Sequence, residues 1–517
     1  MKTKITLKPI IMIVAFCLIE SANAQIGEID PSFSSDGIVN IDIASGWQQG
    51  YGIAIQPDGK IVLAGNHDNG TDSDGLVCRL NADGSLDNSF SGDGTALIDL
   101  SGESIEIRDV VIQADNKIVF CGSGYLGPDS EFIIGRLNAD GTMDNTFDAD
   151  GVAAIDITGF GSLDMAFSLA HQSDGKIVAT GAYDYGAGID MCVVRLNTNG
   201  SLDNSFATNG ILPVDAGSDA VGWGIGIQPD GKIVISGTIY LADDDFVVAR
   251  INTDGTLDAS FDSDGLAFTD ISGSDDEGWY MTLQTDGKIV VAGNSNNGPD
   301  IDFSIVRYNT DGSLDNTFDF DGRLSHDLGA SDDFAYRIIQ EPDGKLIAVG
   351  VRYTFTGWSI ALTRYNTDGS IDITWGASGE VITFIADGCD AHSLAFQPDG
   401  KVVAVGTVYN AGIGDYDLVA VRYLAQLDAG ILIPEPASGL SAQPNPFTDV
   451  TKIRFDKALI NGSIVVTDIS GRVVKTIHGV SGNFYPFFSD DLGDGVYFAT
   501  VSDEGCEEGT LKLVVGE

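Results

Sequence analysis

Positive charge is scarce in this sequence. Lys and Arg total 27 against 76 Asp and Glu, a formal net charge of −49. A surface of that sign repels nucleic acid and anionic lipid, so polyanion partners are excluded. Histidine is scarcer still: His67, His171, His326, His392 and His478 are the full set. None stands in H-E-x-x-H or beside a G-x-S-x-G elbow, and no phosphate-cradling P-loop occurs, so nothing signals an enzyme. Long apolar runs are also missing, with one exception. Ile10–Ile19 follows the basic start Lys2, Lys4 and Lys8 and precedes Ser21-Ala22-Asn23-Ala24. That run is too short to span a bilayer comfortably and ends at a small-residue cleavage site, so residues 1–24 are expected to be a secretory signal peptide. Beyond it, Cys78, Cys121, Cys192, Cys389 and Cys506 are far apart, odd in number and free of C-x-x-C spacing. They form neither a disulfide framework nor a zinc site and read as small buried apolar residues, with one bridged pair left open.

What the chain has in excess is glycine, 65 of 517 residues, beside a 43% hydrophobic content that rules out an acidic disordered tail. The glycines belong to turns, and the turns repeat. A Pro-Asp-Gly-Lys turn recurs with its lysine at 60, 117, 176, 232, 288, 345 and 401, at spacings of 57, 59, 56, 56, 57 and 56. The second copy reads Ala114-Asp115-Asn116-Lys117, where Asn replaces Gly in the left-handed position. After each turn come an apolar strand and an arginine, followed in the first six units by Asn-x-Asp-Gly or a close variant.

Each unit reads as four short strands; in the first these are Ile38–Ile43, Tyr51–Gln56, Lys60–Gly65 and Gly75–Leu80. Alternating apolar residues, tight turns and the lack of a 3.6-residue period argue for an all-β fold. Four antiparallel strands repeated seven times predict a seven-bladed β-propeller over residues 25–428. The phase predicts how it closes. The array enters with one extra strand, Ile38–Ile43, and leaves after Leu418–Tyr423 one strand short. The first strand is therefore expected to complete the last blade and leave no open edge. An open solenoid would need capping units, and none is visible.

Arg79, Arg136, Arg195, Arg250, Arg307, Arg364 and Arg422 occur once per unit. Each of the first six has an aspartate eight residues on, at 87, 144, 203, 258, 315 and 372; for Arg422 that position is Gly430, and Asp30 is the expected substitute. A pair present in every blade is structural, so Arg–Asp pairs that pin the chain between the third and fourth strands are predicted. Two sets of residues are candidates for chemistry. Tyr51, Arg108, Phe167, Trp223, Trp279, Tyr336 and His392 start the first strand of successive units near the axis. Tyr51, Arg108, Trp223, Trp279, Tyr336 and His392 are the candidate ligand-binding residues, suited to stacking a sugar. The bland reading is packing between blades, because period-2 alternation puts them on the buried side. The second set is three D-x-D-G loops, Asp148/Asp150, Asp262/Asp264 and Asp319/Asp321. Alternating carboxylates at a sharp turn suit calcium, although Asp-Gly is also good turn chemistry. No other cofactor is expected.

After Asp428 the repeat stops. Residues 429–441 read as a linker, and 442–517 as a small β-sandwich with strands at Thr451–Phe455, Ser463–Asp468, Arg472–His478, Gly495–Val501 and Gly509–Val515. Pro444-Asn445-Pro446-Phe447, Asp468-Ile469-Ser470-Gly471-Arg472, Gly495-Val496-Tyr497 and Lys512-Leu513-Val514-Val515 resemble the C-terminal sorting domain of the bacterial type IX secretion system. That resemblance implies passage across the outer membrane and the secretion machinery as a partner. Gln56-Pro57-Asp58-Gly59-Lys60 through Arg79-Leu80-Asn81-Ala82-Asp83-Gly84-Ser85-Leu86-Asp87 resembles the delta-60 repeat family, which implies a propeller-like architecture and no activity. The expectation is a monomeric, secreted or cell-surface binding protein whose ligand is a glycan or a protein. Its variable loops, such as His67–Asp74 and Tyr409–Asp417, would present the partner surface. The alternatives are an extracellular polysaccharide-acting enzyme with its site at the channel, or a structural surface component.

Overall fold

The Pro-Asp-Gly-Lys turn closes as its chemistry requires. Gln56 N donates to Lys60 O at 2.8 Å and Gly59 N to Gln56 O at 2.9 Å, with Gly59 at φ 85°. Asn116 takes the same left-handed position at φ 64°. In the computed structural model these turns join the first two strands of seven four-stranded antiparallel sheets. The structure describes residues 27–424 except 44–45, 101, 126–128, 158–162, 330–331, 356 and 413. It also describes 440–515 except 444–449, 469–472, 490–491, 493–494 and 504–505. The expected signal peptide and most of the linker lie outside the described residues.

The first sheet contains Trp47–Ile55, Ile61–Asp68, Ser73–Leu80 and Thr95–Ile98 in that order. Five more repeat the order, starting from Ile105–Ile112, Asp164–His171, Ala220–Ile227, Asp276–Leu283 and Asp333–Gln340. The seventh closes the ring: Gly388–Phe396, Val402–Asn410 and Asp415–Tyr423 are completed by Ile38–Ile41 from the other end of the array. Ile38 faces Val421 and Ile41 faces Leu418. The backbone extends the seam, with Asp30 N donating to Arg422 O at 2.8 Å and Leu424 N to Glu28 O at 3.0 Å. The first strand of each sheet packs on the first strands of its two neighbours, so these seven strands line the axis.

Each sheet is apolar on both faces, and each face is buried against the next sheet. Val62, Val77 and Phe90 of blade 1 pack with Ile105, Phe120 and Ile133 of blade 2. At the seam, Val39 and Ile41 share one core with Leu63, Leu76, Val403 and Leu418. The first inner strand starts at Trp47, ahead of the sequence-based start at Tyr51, because Trp47–Gly50 also pair with Gly65–Asp68. Cys78, Cys121, Cys192 and Cys389 are buried free thiols, and burial pushes Cys389 up to about 11.

All seven Arg–Asp pairs form. Arg Nε lies 2.6–2.8 Å from an Asp Oδ2 in blades 1 to 5, at Arg79–Asp87, Arg136–Asp144, Arg195–Asp203, Arg250–Asp258 and Arg307–Asp315. Arg364 reaches Asp372 through Nη2 at 2.7 Å, and Arg422 reaches Asp30 at 2.8 Å across the seam. The same Asp oxygen also takes the turn lysine, as in Lys60–Asp87 at 2.7 Å and Lys401–Asp30 at 3.1 Å. The pair also links blades, which the sequence does not disclose. Nη1 of Arg136, Arg195 and Arg307 donates to Thr198, Thr253 and Thr367 of the following blade at 2.7 Å, and Arg422 returns to Ala82 of blade 1.

Contacts divide the chain between Ala425 and Gln426. The second unit has five strands, Leu440–Gln443, Val450–Asp468, Val473–Phe488, Gly495–Asp503 and Cys506–Val515. Its first strand among the described residues begins at Leu440, ahead of the sequence-based boundary at 442. The long second strand changes partners along its length. Lys452–Phe455 pairs with Leu440–Gln443, and Ser463–Asp468 with Tyr497–Ser502. The sheet thereby folds over a core of Ile453, Phe455, Ile464, Val466, Val501 and Leu513.

Candidate functional site

Every inner strand is interrupted at the same place. Pairing with the second strand skips one residue between Gly50 and Gly52, Ile107 and Asp109, Ala166 and Ser168, Gly222 and Gly224, Ala335 and Arg337, and Ala391 and Ser393. In blade 5 the gap runs from Gly278 to Met281. The skipped residues are Tyr51, Arg108, Phe167, Trp223, Tyr336 and His392, with Trp279 in the wider gap. A β-bulge resets the alternation of side chains and re-aims the extra residue. Unbroken alternation would put all seven side chains between the sheets; six of the seven are only partly buried, and they touch their counterparts in neighbouring blades, with Phe167 and Trp223 packed in a small cluster between blades 3 and 4.

They meet in an arc. Phe167 lies 4.1 Å from Trp223, Trp223 4.6 Å from Trp279, and Trp279 5.6 Å from Tyr336, centroid to centroid. Tyr336 stacks on His392 at 4.8 Å, and His392 lies 5.0 Å from Tyr51. The Arg108 guanidinium sits 4.3 Å over the Tyr51 ring and pairs with Glu106. The seven positions thus form an arc of contacts from Phe167 round to Arg108, here termed the dish, at the end of the axis that carries the loops between second and third strands. Polar groups edge it: Trp279 Nε1 donates to Asn294 Oδ1 at 2.7 Å, and Asn294 donates to Glu277 at 3.3 Å. Burial raises Glu277 above the usual carboxylate range. Trp223 Nε1 and Arg108 Nε have no hydrogen-bond partner.

One residue further along each strand the axis is crossed by a polar bolt. Arg337 of blade 6 reaches Asp109 of blade 2 through two contacts, 3.2 and 3.3 Å. It also donates to Ser393 Oγ at 2.8 Å and lies 4.6 Å over the Tyr280 ring. Ser168 Oγ donates to Asp109 at 2.7 Å, and Tyr280 O–H to the Phe167 carbonyl at 3.0 Å. Burial opposes the charge on Arg337, but Asp109 holds its pKa above the ordinary value. Five blades supply this bolt, and blades 6 and 2 touch only across the axis. Beyond it lies a cavity of about 550 Å³ walled by residues such as Ile55, Ile112, Ala170 and Ile339. The dish therefore has a floor. Sequence reasoning missed the bolt because Asp109 and Arg337 each occur once.

The three D-x-D-G loops hold themselves together. Asp150, Asp264 and Asp321 accept the N–H two residues on at 3.0–3.1 Å. The backbone N–H of Asp148, Asp262 and Asp319 donates to Asn199, Asp311 and Asp368 of the next blade at 2.8 Å.

Six segments, residues 56–90, 113–147, 172–206, 228–261, 284–318 and 341–374, match the family described as a domain of unknown function (DUF5122) beta-propeller. Residues 441–516 match the secretion system C-terminal sorting domain. Six propeller repeats thus match the DUF5122 model, and the C-terminal unit matches the sorting domain. The sorting domain marks the propeller for type IX export to the cell surface or extracellular space and makes the secretion machinery a partner. No curated protein sequence matches the chain. Among solved structures the propeller is similar to the polysaccharide lyase Uly1, at 12% identity and TM-score 0.41 over 72% of this chain and 90% of that one. It is also similar to virginiamycin B lyase from Staphylococcus aureus, at 12% identity and TM-score 0.32 over 81% and 96%. PorZ of Porphyromonas gingivalis, a surface component of the type IX secretion system, gives 11% identity and TM-score 0.19 over 92% and 75%.

Proposed function

We propose that this secreted protein is a binding module that takes a neutral saccharide in the aromatic dish. The observation that carries the reading is the continuous contact from Phe167 through Trp223, Trp279, Tyr336 and His392 to Tyr51. Aromatic faces stack on the C–H surface of a sugar ring, and the polar edge of Asn294 and Glu277 beside Trp279 offers hydrogen-bonding groups for hydroxyls. Charge selects among ligands. The net −49 disfavours acidic polysaccharides, and Arg108 already fills the cation position over Tyr51. The floor formed by Arg337 and Asp109 favours a terminal or looped sugar over a threaded chain. Binding rather than turnover fits the dish, since its one arginine is tied to Glu106.

The test is a glycan array probed with the purified protein and with Trp279→Ala. Neutral glycans should bind, and the variant should lose at least tenfold in affinity while its far-ultraviolet circular dichroism stays unchanged. Ligands that bind both proteins equally would place recognition elsewhere and defeat the proposal.

A further inference from the structure

Where blade 5 meets blade 6, three carboxylates converge that belong to none of the repeated pairs. Asp302 lies in the third strand of blade 5, Ile301–Tyr308, and Asp327 follows its fourth strand, Arg323–His326. The register that sets Phe303 opposite His326 brings Asp302 and Asp327 side by side. Asp333 opens the inner strand of blade 6. One oxygen from each lies within 4.8 Å of the other two. Asp302 is 4% exposed and Asp333 0%.

The buried members are incompletely satisfied. Asp333 Oδ2 accepts the Leu328 N–H at 3.0 Å, but Asp333 Oδ1 and Asp302 Oδ1 are buried without a hydrogen-bond partner. An orphaned carboxylate oxygen in a protein interior is costly, and two beside a third carboxylate more so. The neighbouring cation, Arg352, donates Nη2 to the Gly329 carbonyl at 3.0 Å. Burial, with the two adjacent carboxylates adding to it, pushes Asp333 up to about 7 even though the Leu328 amide and Arg352 pull it down. One blade earlier, Asp245, Asp270 and Asp276 converge in the same way. There both oxygens of Asp276 are used, by Ile271 N, Ser272 N and Ser272 Oγ.

We propose that Asp302, Asp327 and Asp333 bind one calcium ion. Three hard oxygen donors without nitrogen or sulfur suit calcium, which completes six to eight ligands with water. Water has access, because exposed Asp327 borders a surface cavity of about 860 Å³ shared with Asp300, Asp332 and Tyr353. An ion held by the three carboxylates would compensate the buried charge of Asp302 and Asp333 and clamp two blades together. An open site with three carboxylates falls in the range of extracellular modules, a dissociation constant of about 0.1–1 mM.

The test is calorimetric titration of the full chain with calcium chloride after chelator treatment and dialysis, alongside thermal melts. One ion per chain should bind, and 5 mM calcium should raise the melting temperature by about 1–2 °C. Asp327→Asn, an exposed change that leaves the fold intact, should abolish both effects, and Asp276→Asn should preserve them. Calcium heat that survives Asp327→Asn would overturn the assignment. A wild-type melt insensitive to calcium but raised by Asp333→Asn would also overturn it, since protonation would then resolve the cluster.

Discussion

Glu341→Gln should stabilise the propeller, and by an amount that depends on pH. The residue before each turn is Gln56, Gln113, Gln172, Gln228, Gln284, Glu341 or Gln397, so blade 6 alone has a carboxylate there. Glu341 is 2% exposed; neither oxygen has a hydrogen-bond partner, and its nearest cation, Arg364 Nη1, stands off at 3.6 Å. In blade 7 glutamine satisfies the site: Gln397 Oε1 accepts from Arg422 Nη1 at 3.1 Å and Nε2 donates to Gly59 O at 3.4 Å. Burial raises Glu341 from 4.5 to about 7, against the pull of Arg364. Below pH 4.5 the group is protonated in both folded and unfolded chains, and nothing is lost. Between pH 4.5 and about 7 the unfolded chain ionises while the buried carboxyl keeps its proton, so stability is lost at about 1.36 kcal/mol per pH unit, and the loss levels off above about 7. The full penalty is about 3 kcal/mol. For about 400 residues unfolding together, that corresponds to about 3–4 °C in melting temperature. Differential scanning calorimetry of both proteins at pH 4.5, 6 and 8 measures it. The gap should be near zero at pH 4.5 and widest at pH 8. Equal gaps at all three values, or a destabilised variant at pH 8, would refute the reasoning.

Arg422→Ala should lower stability by about 1.5–3 kcal/mol, because it removes the charge-assisted bond to Asp30 and the link to Ala82 at the seam while Lys401 and Ser32 still hold the carboxylate; urea denaturation reads the loss. Acid should unfold the ring: burial acts against Asp87, Asp144 and their counterparts, but bonds from the turn lysine, the Ser or Thr two residues on and the arginine hold them well below the usual carboxylate range. That stabilisation is complete above the unfolded carboxylate value and disappears as pH falls through the folded one, so tryptophan fluorescence should report a steep transition below about pH 3. Deleting residues 442–517 should leave the protein in the periplasm, which cell fractionation would show; normal export of the truncated chain would contradict the role of the tail.

The sequence discloses what repeats. Seven turns, seven arginines and an array one strand long at its start and one short at its end determine blade number, Arg–Asp pairing and closure, because each is carried by residues at fixed intervals. The bulge is hidden for the opposite reason. It adds one residue to every inner strand alike, so no spacing changes, and Tyr51 and Trp223 look like members of an unbroken alternation. Arg337 and Asp109 lie 228 residues apart and have no counterparts in other blades, so only the ring brings them together. Asp302, Asp327 and Asp333 are three acids among 76, and nothing in their spacing distinguishes them before the strands are paired.

Closure from both chain ends has a consequence for how the molecule comes into being. Until Tyr423 has emerged, Ile38–Ile41 has no partner, and the nascent product is an unfinished horseshoe. Its two tips expose Leu63 and Leu76 on one side and Val403 and Leu418 on the other, sticky surfaces that invite a second horseshoe. The closing strand, rather than the strength of any one blade, is then what hides those surfaces from a second chain.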